Sequence, residues 1–233
     1  MQSEDVNKEG LESLLSVFSM TAKGKSQHIS IGGYIPLHKQ MERANQYYDY
    51  VYKTLGVDYT LSDIELFSKQ DIKINSREKA TRLGLFISAA INKVIKSGEK
   101  VNIYTKTPLN CLFYRLEDAT AYTNKAGALF GAYAKRSDIR ANDVGSLAGF
   151  STEDLKLNVE NAGELLSALA LNCITNVGTA GDFLGLMARQ CKIYADKAGY
   201  GAGVYTINSE VCVGGVRIKP KFSELSSYKL GEL

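Results

Sequence analysis

Apolar side chains recur at three- and four-residue steps through most of the chain, the spacing that gathers them on one face of a helix. Residues 5–20 carry Val6, Leu11, Leu14, Leu15 and Phe18 in that rhythm. Leu37, Met41, Ala44, Tyr48, Val51, Tyr52 and Leu55 repeat it over 37–55, with Pro36 opening the helix and Gly56 stopping it. A short helix over 60–70 takes Thr60 or Ser62 as its N-cap. The segment 75–98 is the clearest, capped by Asn75 or Ser76 and ended by Gly98. Ala80, Leu83, Ile87, Ala90, Ile91 and Val94 fall on one arc of it. Arg82, Lys93 and Lys96 fall on the opposite arc, with Lys79 at its edge.

The same reading predicts three more helices. Ala119, Tyr122, Ala126, Phe130 and Tyr133 point inward over 117–136; Leu155, Val159, Ala162, Leu166, Leu169 and Cys173 do so after a Ser151 cap. A third helix covers 179–198. Extended structure is confined to a short strand near 28–35, a β-rich stretch near 101–105 and a hairpin near 203–219, turning at Asn208-Ser209-Glu210. No internal repeat is read. The expected fold is mainly α: a compact multi-helix domain with minor β and extended terminal segments. An arm over 1–35 precedes a helical core over 36–199, and a hairpin and tail fill 200–233.

Composition changes this picture little. The chain has 233 residues, 45% hydrophobic and 23% charged, with a formal net charge of +3. That is ordinary for a globular chain and short of the basic bias of a dedicated nucleic-acid binder. The polar start MQSEDVNKEGLESLL predicts no secretory leader, and no apolar run is long enough for a membrane span. Four scattered cysteines without a CxxC pair predict reduced core residues, no metal site, and a cytoplasmic location. No cofactor is implied: glycine-rich phosphate loops, nucleophile elbows and zinc-protease motifs are all missing. The paired acids Glu117–Asp118 and Glu153–Asp154 read as helix openings.

Two features remain. NQYYDYVYKTLG sets four tyrosines within six positions; helical spacing sends Tyr48 and Tyr52 to the core side and leaves Tyr47 and Tyr50 to stack on bases or sugars. Basic residues then group as Lys79, Arg82, Lys93 and Lys96, as Lys135, Arg136 and Arg140, and as Arg217, Lys219 and Lys221. Cations along one helix face suit a phosphate backbone.

YRLEDAT, 114–120, resembles the RRVDDAT segment of the coat proteins of rod-shaped plant viruses. Arg115, Asp118, Ala119 and Thr120 match, and Glu117 replaces an aspartate. The resemblance covers a handful of residues, identifies no family, and implies only that Arg115 lies near RNA.

The functional expectation is a self-assembling structural protein, a nucleocapsid or coat-like subunit, cytoplasmic or in a virion. It would hold single-stranded RNA by its backbone through Lys79, Arg82, Lys93, Lys96, Arg115, Lys135, Arg136 and Arg140, with Tyr47 or Tyr50 stacking and the terminal segments joining subunits. One alternative is a helical adaptor for an acidic protein partner. The other is an enzyme with a site around Tyr104, Arg115 and Asp118.

Overall fold

A computed structural model describes residues 8–23 and 36–219. Four helices come first: α1 (Lys8–Lys23), α2 (Leu37–Thr54), α3 (Leu61–Ser68) and α4 (Arg77–Val94). Eight strands follow: β1 (Lys100–Ile103), β2 (Thr120–Lys125), β3 (Asp138–Val144), β4 (Lys156–Ala162), β5 (Ile174–Ala180), β6 (Lys192–Ala198), β7 (Glu210–Val213) and β8 (Val216–Arg217). They form one sheet in chain order, parallel throughout except for the last pair. Parallel neighbours without crossover helices mean that the chain winds as a β-solenoid, one coil stacked on the next.

The fold is therefore not the mainly α bundle that apolar spacing predicts. The helices end at Val94, and the stretches 117–136, 151–173 and 179–198 are strands and turns of the solenoid. In-register partners Asp138, Lys156, Ile174, Lys192 and Glu210 lie one coil apart, and the period is 18 residues. Each coil turns corners, so its inward positions come at irregular two- to four-residue steps. Leu155, Leu157 and Val159, then Leu166, Ala170 and Cys173, are buried in this way, with Ala162 partly buried between the two sets. Steps of three and four imitate a helix although no helix is present.

The period is visible at one corner in Gly127, Gly145, Gly163, Gly181 and Gly199. A Cβ on Gly163 would lie 2.7 Å from the Ser146 nitrogen in the coil before it, and the other glycines meet their predecessors similarly. The backbone of one coil occupies the space of the next coil's side chain, so only glycine fits.

Beyond that corner, alternate residues take the left-handed backbone region: Leu147, Gly149 and Ser151, then Leu165, Ser167 and Leu169. Such φ values cost a non-glycine residue about 1–2 kcal/mol. Coil-to-coil hydrogen bonds offset the cost: Leu165 N–H donates to the Asp182 carbonyl at 2.8 Å and Ser167 N–H to that of Ala148 at 2.8 Å. Ser151 and Asp154, expected as a helix cap, sit in this turn with φ of 52° and 51°.

Across the core, the middle turn residue faces the second strand residue of the following coil. Gly131, Gly149, Gly185 and Gly203 face Ile139, Leu157, Ile193 and Val211. In the one coil where that strand residue is polar, Ser167 replaces the glycine, and its Oγ lies 2.7 Å from Thr175 Oγ1. In four coils the last position carries a small acceptor, Ser137, Cys173, Cys191 or Ser209, that takes the backbone N–H of the coil before; Ala119 and Leu155 fill it in two others. Ala119 N–H reaches Ser137 Oγ, Cys173 N–H reaches Cys191 Sγ, and Cys191 N–H reaches Ser209 Oγ. Cys173 and Cys191 thus act as thiol versions of a serine, and both are free and buried.

The first coil would expose an edge of unpaired backbone groups. Helix α4 covers it and is buried from Ala80 to Ile91. Gly84 lets it approach, since a Cβ there would overlap the Asn110 carbonyl. Ser88 Oγ accepts from Tyr114 N–H at 3.1 Å and lies 2.9 Å from the Cys111 carbonyl. Asn92 Nδ2 donates to the Tyr114 carbonyl at 3.0 Å. The other helices pack behind α4, with Phe18 of α1 edge-on to Phe67 and Phe86. So 8–23 belongs to the cap and is no free arm. Helix α3 begins at the expected Thr60 cap, in a full capping box, and α4 at Ser76.

The expected strand near 28–35 lies outside the described residues. The C-terminal hairpin exists, but it turns at Gly214–Gly215, between β7 and β8. Asn208 belongs to the last full turn instead, with φ of 49°.

Two stability measurements follow. Thr175→Ile alone buries the Ser167 hydroxyl without a partner and lowers stability by about 1–3 kcal/mol. Adding Ser167→Gly restores the glycine–isoleucine pairing of the neighbouring coils and recovers most of the loss in a double-mutant denaturation cycle. Gly163→Ala forces two coils apart and lowers the thermal midpoint, by the ~1–3 kcal/mol typical of overpacking.

Candidate functional site

Side chains at the first, third and fifth positions of the strands point away from the core, one directly above another at the strand spacing of about 4.8 Å. The third strand position reads Asn102, Tyr122, Arg140, Asn158, Asn176, Tyr194 and Cys212 along the solenoid, and the fifth carries Glu160, Gly178 and Asp196 in its central coils. These two columns line a groove of about 600 Å³ across strands β2–β7. Gly178 and Gly215 leave its floor open.

The groove is ordered by its own hydrogen bonds. Asn176 Nδ2 donates to Asn158 Oδ1 at 2.9 Å, and Asn158 Nδ2 to Asp138 Oδ1 at 3.5 Å. Tyr122 packs edge-on against Tyr104 with ring centroids 5.8 Å apart, and its hydroxyl reaches Asn142 Oδ1 at 3.4 Å. Tyr194 stands exposed at the other end. Partial desolvation and the Glu210 carboxylate beside it hold the Tyr194 hydroxyl above the ordinary tyrosine range. Arg140 is tied to Asp138 at 3.0 Å. Glu160 and Asp196 have no ion-pair partner among the described residues.

Further concavities include one of about 720 Å³ beside the last coil, lined by Gln190, Lys192, Ser209, Glu210 and Arg217 among others. A polar crevice of about 470 Å³ lies between α2, the end of α4 and the first coil, lined by Tyr48, Tyr52, Asn92, Arg115, Glu117 and Asp118 among others. An apolar groove of about 620 Å³ separates α2 from the turn side of the solenoid.

The expected nucleic-acid residues do not converge. Tyr47 and Arg82 are buried, at 2% and 8% exposure, because α2 and α4 pack face to face. The Arg82 guanidinium lies 5.3 Å over the Tyr47 ring and bonds Glu78 Oε1 at 2.8 Å. Of the basic arc read on α4, Arg82 is therefore turned inward. Lys93 Nζ donates to the Tyr52 carbonyl at 3.2 Å and sits over that ring. Lys79 is half-buried in the first turn of α4, and Lys96 is exposed beyond its end. Arg115 bonds Asp49 at 2.8 Å and Asn45 at 2.6 Å.

Lys135 pairs with Glu153 at 3.0 Å, and Arg136 with Asp118 at 2.7 Å and with Glu117. These pairs bridge successive coils, so the acids read as helix openings are partners in coil-to-coil ion pairs. Of the tyrosine cluster, Tyr48 is in the core and Tyr50 is exposed as read, whereas Tyr52 is exposed instead of buried. Tyr104 packs on Tyr122 beside the sheet groove and does not line the Arg115–Asp118 crevice.

The groove residues Tyr122, Asn158, Glu160, Asn176, Tyr194 and Asp196 escape helical reading. The 18-residue return of the corner glycines is the signal that finds them. Among the described residues no helix is long and apolar enough to cross a membrane, and no cluster of three or more His, Cys, Asp or Glu side chains could hold a metal ion. No protein-family model matches the chain, and neither a curated protein nor a solved structure is significantly similar to it.

Asp138 ties two adjacent coils together and gives the site a pH dependence. Arg140, and then Lys156, hold its carboxyl below the usual aspartate range. A depressed folded-state pKa contributes stability above the unfolded value, and this is lost as pH falls through the folded one. Unfolding midpoints should hold from neutral pH to the ordinary carboxylate range near pH ~4 and fall below it. Asp138→Asn should flatten that acid limb in a denaturation series.

Proposed function

We propose that the chain is a binding module whose sheet groove holds an extended, hydroxyl-rich polymer, a neutral polysaccharide. The observation that carries this reading is the ladder itself. Rings stand at both ends of the groove, with stacked amides and free carboxylates between them, repeated at the spacing of the coils. Tyr122 and Tyr194 are four coils apart, roughly 19 Å at the usual strand spacing. One coil is close to the length of one pyranose ring in an extended chain. Tyrosine faces cover the apolar faces of sugar rings, and fixed amide and carboxylate groups bond hydroxyls. Side chains already locked by a ladder lose little freedom on binding.

Charge separates this ligand from RNA. The one arginine in the groove is neutralised by Asp138, and Glu160 and Asp196 stay unpaired. Such a lining repels a phosphate backbone and accepts a neutral chain. The cations expected to bind RNA are spent largely on ion pairs within the fold, which weakens but does not remove that reading.

Affinity electrophoresis and calorimetry against neutral glucans, mannans and xylans test the proposal. One class should bind, with Tyr194→Ala and Tyr122→Ala each weakening it by about tenfold, ~1.4 kcal/mol. Failure to bind any, or binding indifferent to both substitutions, discards the reading. RNA binding that falls steeply with salt would favour the nucleic-acid alternative.

A further inference from the structure

We propose that the turn side of the solenoid, across the core from the sheet groove, receives an amphipathic helix of a partner protein laid along the solenoid axis beside α2. One buried column underlies this side in successive coils, Tyr114, Ala132, Ala168, Leu186 and Val204 with half-buried Phe150, and the apolar side chains left open over it are Leu147, Leu165, Leu169 and Met187. Helix α2 already covers the start of it. Tyr114 Oη donates to Asn45 Oδ1 at 2.8 Å, and Leu37 and Met41 of α2 wall a groove whose floor includes Phe150, Leu165 and Leu186.

The column continues past the helix. Ala168, Leu186 and Val204 form a small apolar cluster separate from the main core, with Met187 against it. Leu169 stands beside them at 46% exposure. The open groove is thus the continuation of an interface that a helix already makes.

Three properties fix the occupant. The groove holds about 620 Å³, enough for a row of side chains. Its knobs and hollows repeat at the coil spacing of about 4.8 Å. Side chains three or four apart on a helix advance about 4.5–6 Å along its axis, so one helix can seat a side chain in each coil. The charged side chains in the lining are the carboxylates of Glu42 and Asp49, with His38 nearby and no lysine or arginine. Asp49 is occupied by Arg115, and Glu42 remains exposed at the rim. The partner helix therefore carries leucine-like residues on one face and lysine or arginine on its flank. This is the opposite charge from the acidic partner that the basic residues of the sequence would call for.

The test uses the whole chain and three labelled peptides, read by fluorescence anisotropy. One has leucines at i, i+3, i+4 and i+7 among lysines, one has the same leucines among glutamates, and one scrambles the first. The leucine–lysine helix should bind about tenfold tighter than the other two, and Leu169→Asp or Met187→Asp should remove that advantage. Leu169 is exposed, so its variant should keep the wild-type melting temperature, and Tyr194→Ala should bind the helix as wild type does. No binding, equal binding of the scrambled peptide, or indifference to Leu169→Asp overturns the proposal. Light scattering that shows a dimer dissociated by Leu169→Asp also overturns it, since a second copy would then be the occupant.

Discussion

Every coil of the solenoid takes its backbone partners from the coils on either side, in register, at one strand spacing. That single constraint fixes most of the sequence after residue 100. A residue is judged less by its neighbours in the chain than by its copies one period away. Where the backbone of the next coil passes closest, only glycine fits. Where a large aliphatic residue enters the core, the facing turn residue shrinks to glycine. Where Thr175 enters instead, Ser167 answers it. Outside, like charges would stack at close range, and the structure alternates them: Glu117, Lys135 and Glu153 form one such column.

Stacking also creates two open ends, and the chain treats them differently. The first coil is closed by α4, whose serine, asparagine and glycine match the exposed backbone and whose apolar residues join the main core. The last parallel strand, β7, is closed by its own short return, β8. The helices are thus an end-plate for the solenoid, and α2 also walls the turn-side groove. Packing of α4 against α2 takes Arg82 out of the basic arc, while Lys96 stays exposed beyond the helix.

The helical third of the fold was legible in the sequence because α1 to α4 obey the rule used to read them. Thr60 and Ser76 cap where their chemistry says they should. The solenoid was illegible by the same rule, since coils with corners put inward residues at helix-like steps, as Leu155, Val159, Ala162 and Leu166 show. A local window cannot distinguish the two. The distinction lies at long range, in glycines that recur at 127, 145, 163, 181 and 199. The groove shared that fate: Tyr122 and Tyr194 look unrelated until the period places them in one column. Arg115 and Asp118 were singled out by a short resemblance, and the structure gives them separate ion-pair partners, Asp49 and Arg136.

The in-register columns have a consequence for how such a protein can change over evolutionary time. A one-residue insertion inside a coil would throw every later column out of alignment, so tolerated changes in length come as whole coils or as bulges at a corner. The first coil shows the second route, Lys100 pairing with Thr120 through a loop that contains Pro108. Duplication of a whole coil would leave both end-plates untouched and lengthen the sheet groove and the turn-side groove together by one unit. The lengths of the proposed ligand and the proposed partner would then be coupled in a single genetic step, with the ruler written into the backbone.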